Sequence, residues 1–200
     1  VHKDVIQRYI NIFQGLNIKN FKLTLNVYGL FNLYNYIKPE DTKTAMLIDI
    51  DYQQVELAVI SNKRLLFSRY FKFNQNQTNW ENLFIDELKK SQDAYIKELS
   101  KEAPHKIIVF TGGKVSEGLK DTLNKRLNLP VEFLSYLDNV NVSADLPNIL
   151  VNSNHSFAGL IGLGLKDIEE SLNLMPQDLK GQAKLFSLRK ERIRLTLFIV

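Results

Sequence analysis

Apolar positions change period several times along this chain, and each change marks an expected element. Over residues 3–14, Val5, Ile6, Tyr9, Ile10 and Phe13 recur at helical spacing, with Gly15 as the expected stop. Residues 21–27 alternate instead, with Phe21, Leu23, Leu25 and Val27 on one side, which predicts a strand. A second apolar helix is predicted over 28–37, ending ahead of Pro39. The polar stretch Lys38-Pro39-Glu40-Asp41 is the expected boundary.

Three strand-like runs follow closely, over 44–50, 55–61 and 64–73. Their links are so short that neighbours must run antiparallel, as a meander. Thr78-Asn79-Trp80-Glu81 reads as a capping box opening a helix to about residue 100, with Leu83, Phe84, Leu88, Tyr95 and Leu99 on one face. Residues 106–110 are a short apolar strand of the buried type. Val115, Leu119, Leu123 and Leu127 mark the next helix, stopped by Asn128 ahead of Pro130, and residues 131–134 form a fifth strand. After a loop rich in Asn, Ser and Pro, Phe157 to Leu165 is a small-residue helix whose Gly159, Gly162 and Gly164 allow close approach to a sheet or a partner. The order from residue 44, β-β-β-α-β-α-β-α, predicts an α/β fold with a mixed five-strand sheet and helices on its faces. It resembles the ribonuclease H-like unit of actin-like and sugar-kinase-like proteins. Three regions are expected: residues 1–40 as the end of an accessory subdomain with a connecting helix, 41–170 as the actin-like domain, and 171–200 as a junction and basic start of a membrane anchor.

Charge sharpens the picture at the C-terminal end. The chain carries 26 Lys and Arg against 22 Asp and Glu, a formal +4. Six of those cations and one of those anions lie after residue 179, so the tail carries +5 and the rest −1. A nearly neutral globular part removes the footing for nucleic-acid binding. Lys184, Arg189, Lys190, Arg192 and Arg194 lead directly into Leu195-Thr196-Leu197-Phe198-Ile199-Val200. Basic residues opening onto an apolar run read as the start of a membrane helix on the cytoplasmic side, where a full span needs about 20 residues. Attraction of such residues to anionic lipid is worth about 1 kcal/mol each. The sequence has no cysteine, which excludes disulfides, thiolate catalysis and cysteine-based metal sites. It opens at Val1 within a helical pattern, as expected of an excised piece.

Candidate chemistry is sparse. Asp49-Ile50-Asp51 ends the first meander strand, where actin-like ATPases carry Asp-x-Gly. At the third position Asp51 puts a negative charge and a Cβ where phosphate approach needs neither. The alternative is a polar strand end entering a turn. Thr111-Gly112-Gly113 and Gly118 lie between a strand and a helix, as in an adenosine loop or a plain tight turn. His2, His105 and His155 have no metal-ligand spacing and are expected on the surface or in loops. Leu172, Asn173, Leu174, Met175 and Pro176 read either as a helix end stopped by proline or as an extended segment docking alternate side chains into a groove.

The ordered set of Asp49-Ile50-Asp51, the meander, Thr111-Gly112-Gly113, the helix ending in Gly162-Leu163-Gly164-Leu165 and Leu172 to Pro176 resembles the second half of the PilM family of type IV pilus assembly proteins. The cytoplasmic domain of the type II secretion L protein is similar. Leu172 to Val200 resemble the start of PilN, so the chain looks like a PilM-like domain joined to a PilN-like anchor. The resemblance implies a scaffold at the cytoplasmic face of the bacterial inner membrane, with PilN- and PilO-like membrane proteins, a cytoplasmic assembly ATPase and lipid as partners. Asp51 and the short stretch between Phe73 and Lys106 argue against ATP turnover. No cofactor is expected, with ATP and Mg the candidates if one binds, at Asp49, Asp51, Thr111, Gly112, Gly113 and Gly118. The rival readings are a genuine actin-like ATPase completed by a missing half, and an FtsA-like division protein with an amphipathic membrane helix.

Overall fold

The computed structural model describes residues 2–18, 21–51, 54–72, 79–99, 103–111, 117–141, 155–165 and 173–177. Contacts divide the chain into two compact units, Val1–Leu25 with Ile168–Val200, and Asn26–Asp167. The second of these units begins at Asn26 and so takes in the helix expected over 28–37.

The larger unit opens with helix α2 (Asn26–Ile37), which follows α1 (Lys3–Gly15) of the smaller unit. It continues with β1 (Ala45–Asp51), β2 (Gln54–Ser61), β3 (Arg64–Lys72), α3 (Trp80–Leu99), β4 (Lys106–Thr111), α4 (Glu117–Leu127), β5 (Val131–Ser135) and α5 (Ala158–Gly164). The strands form one five-stranded sheet in the order β3-β2-β1-β4-β5. β1–β2 and β2–β3 are antiparallel, whereas β1–β4 and β4–β5 are parallel.

Alternation assigns the two faces. Met46, Ile48, Val55, Leu57, Val59, Ile107 and Val109 lie in one core with Phe84, Ile85, Leu88 and Tyr95 of α3 and Leu119, Leu123 and Leu127 of α4. Each such side chain contributes about 1.5–3 kcal/mol on full burial. Leu47, Ala58, Ile60, Ile108 and Phe110 are buried on the other face, the side to which α2 packs. α5 packs on α2 through glycine. A Cβ at Gly29 would lie 1.9 Å from Gly159 O, and one at Gly162 would lie 1.8 Å from Gly29 O, so the two helix backbones touch. Gly164 has open space around it and takes no part in this contact.

Several local expectations change. α3 buries Phe84, Ile85, Leu88, Ser91 and Tyr95, while Leu83 and Leu99 are exposed. The spacing 84, 88, 91, 95 follows one helical stripe more closely than the face read from the sequence. Asn79 precedes α3 at φ 69, and Thr78 of the expected capping box lies outside the described residues, as does Val115. Asn128 does end α4, at φ 52.

In the smaller unit, α1 ends at Gly15, but its stop is Asn17 at φ 56. Ile18 N–H donates to Phe13 O and Asn17 N–H to Gln14 O, both at 2.9 Å, which is a Schellman motif. Ile10 is buried and Phe13 stacks on Phe21 at 4.7 Å, whereas Val5 and Tyr9 of the predicted face are exposed. Residues 21–25 have no regular secondary structure, and Val27 belongs to α2. The strand pattern of 21–27 fails because the last two of those residues enter the helix.

Candidate functional site

Adjacent strands β1 and β4 run parallel, with Asp49 opposite Phe110, so Asp51 and Thr111 end on the same edge of the sheet. Ligands of open α/β sheets bind outside such carboxyl ends. The antiparallel neighbour β2 sets Glu56 directly opposite Asp49 and Gln54 opposite Asp51. Residues two apart share a face, so Asp49, Asp51 and Glu56 form a carboxylate cluster on the α2 side. Like charges facing each other across a ladder repel.

The chain supplies a donor to each. Asn26 Nδ2, from the first residue of α2, donates to Glu56 Oε2 at 2.5 Å. Ser156 Oγ, just ahead of α5, donates to Asp49 Oδ1 at 2.5 Å. Asp51 Oδ1 accepts from Ser156 N–H at 3.1 Å and lies 3.0 Å from His155 Nδ1, and Asp51 Oδ2 accepts from Gln54 Nε2 at 2.8 Å. Buried Tyr136, the residue after β5, accepts Phe157 N–H on its hydroxyl at 3.2 Å and so fixes the same loop.

Burial sets the electrostatics. Asp49 is 5% exposed, and that desolvation pushes its carboxyl up to about 7, with Glu56 and Asp51 adding repulsion and Ser156 opposing. Burial also raises Glu56, opposed by its bonds from Asn26 and the Val27 N–H. Tyr136 is raised by burial as well. A carboxyl near 7 beside a hydroxyl can exchange protons at neutral pH. No group of three or more His, Cys, Asp or Glu among the described residues is arranged to hold a metal ion.

The structure thus joins Asp49 and Asp51 and brings Thr111 to the same edge. Gly118 lies exposed at the start of α4. Gly112 and Gly113 lie outside the described residues, as do Leu172 and the basic residues Lys184, Arg189, Lys190, Arg192 and Arg194. His155 is exposed as expected, yet it touches Asp51. Sequence reasoning missed Ser156, Glu56 and Asn26. The pairing of Glu56 with Asp49 follows from hairpin register, but nothing local announces Ser156, which lies over a hundred positions from Asp49.

In the smaller unit, Asn173 to Pro176 are not helical. Leu174 N–H donates to Leu23 O at 2.8 Å, Met175 N–H donates to Asn173 Oδ1 at 3.1 Å, and the Met175 side chain is buried. No helix among the described residues is long and apolar enough to cross a membrane.

No protein-family model matches the sequence, and comparison with characterised proteins finds no similar one. Solved structures do match. A PilM-PilN type IV pilus biogenesis complex aligns with TM-score 0.51 and 17% identity over 69% of this chain and 50% of that one. A Bacteroides thetaiotaomicron protein of unknown function with an actin-like ATPase fold gives 0.40 and 14% identity, over 62% and 44% of the two chains. The ROK hexokinase of Thermus thermophilus gives 0.38 and 13%, over 46% and 35%. The chain spans half or less of the length of these structures. Its order of strands and helices and the likeness to the pilus complex give it the fold of the actin-like ATPases, a mixed five-strand α/β sheet with helices on both faces.

Proposed function

We propose that this chain is a non-catalytic actin-like scaffold of a type IV pilus or type II secretion assembly platform, PilM-like in its larger unit. It would sit at the cytoplasmic face of the inner membrane and link PilN- and PilO-like membrane proteins to a cytoplasmic assembly ATPase. The observation that carries the reading is the Leu174 N–H bonded to Leu23 O beside the buried Met175, in a chain whose fold aligns with a PilM-PilN complex. A Leu-Asn-Leu-Met-Pro segment that follows the actin-like unit in the same chain suits a PilN-like start fused to its own platform. The basic residues 180–194 would then approach anionic lipid.

Asp51 supports the non-catalytic part. Both of its oxygens accept hydrogen bonds from the protein, at the position where a phosphate loop uses glycine. A catalytic reading has one observation in its favour, the Asp49 carboxyl held near 7 at a sheet edge. Thermal unfolding with and without millimolar Mg-ATP separates the two, and the scaffold reading expects no shift. Binding at 100 times Kd would add about 2.7 kcal/mol, or roughly 5–11 °C for a chain of this size, and would defeat the non-catalytic claim. The platform claim is checked by deleting residues 172–176 in the cell. Retained co-purification with PilN- and PilO-like proteins and unchanged pilus or secretion output would count against it.

A further inference from the structure

We infer that a proton-dependent latch holds α2 and α5 on the sheet edge, and that with rising pH the pair lets go of the ends of β1 and β2 as one body. The inference stands on the carboxylate cluster and the helix contact, and it does not depend on the pilus reading.

The latch has two arms, one from each helix. In the first turn of α2, Asn26 Nδ2 and the Val27 N–H both bond Glu56. Just ahead of α5, Ser156 Oγ bonds Asp49 and Ser156 N–H bonds Asp51, while the Phe157 N–H bonds the hydroxyl of buried Tyr136. The arms are not independent. Gly29 and Gly162 bring the two helix backbones into contact, and Asn26 itself lies against Gly159.

What the arms grip is a group of acids short of counter-charge. Asp49 faces Asp51 on its own strand, Glu56 across the ladder, Tyr136 after β5, and the loop of His155 and Ser156; β4 sets Phe110 opposite it. No Lys or Arg among the described residues forms an ion pair with Asp49 or Glu56, and His155 pairs with Asp51. An ionised Asp49 therefore stands buried between two other acids, where a charge is costly without a partner. Release of the latch brings water to it.

Linkage gives the direction. In the held form Asp49 titrates at about 7, raised by burial first and then by Glu56 and Asp51, with Ser156 opposing. Released into water, it returns to about 4. The held form thus binds a proton that the released form gives up between about pH 4 and 7, so release gains up to about tenfold per pH unit across that window and levels off above it. Burial raises Glu56 too, which acts in the same sense.

The test is native-state hydrogen exchange of the full chain by NMR at pH 5, 6 and 7, with each rate corrected for the intrinsic pH dependence of amide exchange. The Val27, Ser156 and Phe157 amides should lose at least tenfold in protection from pH 5 to 7, in step with one another. At every pH they should exchange faster than the amide of buried Ile107, which bonds Pro130 O in the sheet. Asp49→Asn should remove the pH dependence, and His155→Gln should leave it in place. Protection that is flat with pH, that keeps its slope in Asp49→Asn, or that loses it in His155→Gln would overturn the proposal. So would Val27 holding while Ser156 and Phe157 open. All three amides exchanging as slowly as Ile107 would overturn it as well, since only unfolding of the whole chain would then sense the proton.

Discussion

Replacing Gly29 with alanine tests the closest helix contact in the fold. The added Cβ would lie 1.9 Å from Gly159 O, 2.6 Å from its carbonyl carbon and 2.8 Å from its Cα. Non-bonded atoms settle near ~3.5 Å, so α2 and α5 would have to part by roughly 1.5 Å. All three opposing atoms are backbone, which cannot rotate aside as a side chain would. Overpacking of this kind costs about 1–3 kcal/mol, with the upper end expected where backbone must move. Alanine returns about 1 kcal/mol of helix propensity. The net expectation is a loss of about 2 kcal/mol, seen as a fall in Tm of roughly 4–8 °C at 2–4 °C per kcal/mol. Gly118→Ala is the control, because a Cβ there meets nothing within 4 Å and the helix should gain slightly. Gly162→Ala meets Gly29 O at 1.8 Å, so the double variant should lose much less than the sum of the two, since one separation relieves both clashes. Urea and thermal unfolding read all four proteins. A Gly29→Ala chain as stable as Gly118→Ala would refute the contact.

Asp49, raised to about 7, holds a proton in the folded chain that the unfolded chain releases near pH 4. Stability should therefore fall as pH rises from about 4 through 7, by at most about 4 kcal/mol, and Asp49→Asn should lose that slope and exceed the wild type at pH 8 in urea titrations. Parallel pH profiles for the two would defeat the assignment. Asp41 works in the opposite sense: partial burial acts upward, but hydrogen bonds from Lys106, Tyr34 and the Lys43 N–H hold its carboxyl at about 2. Its contribution is present above about pH 4 and lost as pH falls toward 2. Asp41→Ala leaves Lys106, whose side chain is 23% exposed, without its partner, and should cost about 2 kcal/mol at neutral pH with convergence on the wild type near pH 2.

The sheet was legible because β1 to β3 are apolar runs separated by polar links too short for any but antiparallel pairing, and β4 and β5 are short apolar runs that alternate with helices. All five fall within a residue of the spans read from the sequence. Helix faces were less legible. In α3, Leu83 and Ile85 flank Phe84 equally in sequence, and only packing against β-strands decides that Ile85 is buried. Gly159 and Gly162 announced a close approach, but their partner Gly29 sits in an otherwise ordinary apolar helix. The candidate site divides in the same way. Asp49 and Asp51 stood out as carboxylates at a strand end. Their donors arrive from distant segments, and a serine in a loop or an asparagine opening a helix has no local mark that would assign it to a particular acid.

Those distant donors tie the carboxylate cluster to the helix pair. Asn26 opens α2, bonds Glu56 and lies so near Gly159 that a Cβ there would meet its Oδ1 at 2.0 Å. Ser156 precedes α5 and bonds both Asp49 and Asp51. The same two helices therefore touch each other through glycine and touch the ends of β1 and β2 through hydrogen bonds to acids. The arrangement relieves a real conflict, since three carboxylates on one face would repel without donors, and burial adds to the relief by raising the Asp49 carboxyl. A phosphate entering at this edge would add negative charge to the cluster and compete with it for the Ser156 and His155 donors. Relief of that competition would require the α5 end of the loop to move, and the glycine contact leaves α5 no room to move without α2. On this geometry the acids serve first to fix where α2 and α5 stand on the sheet.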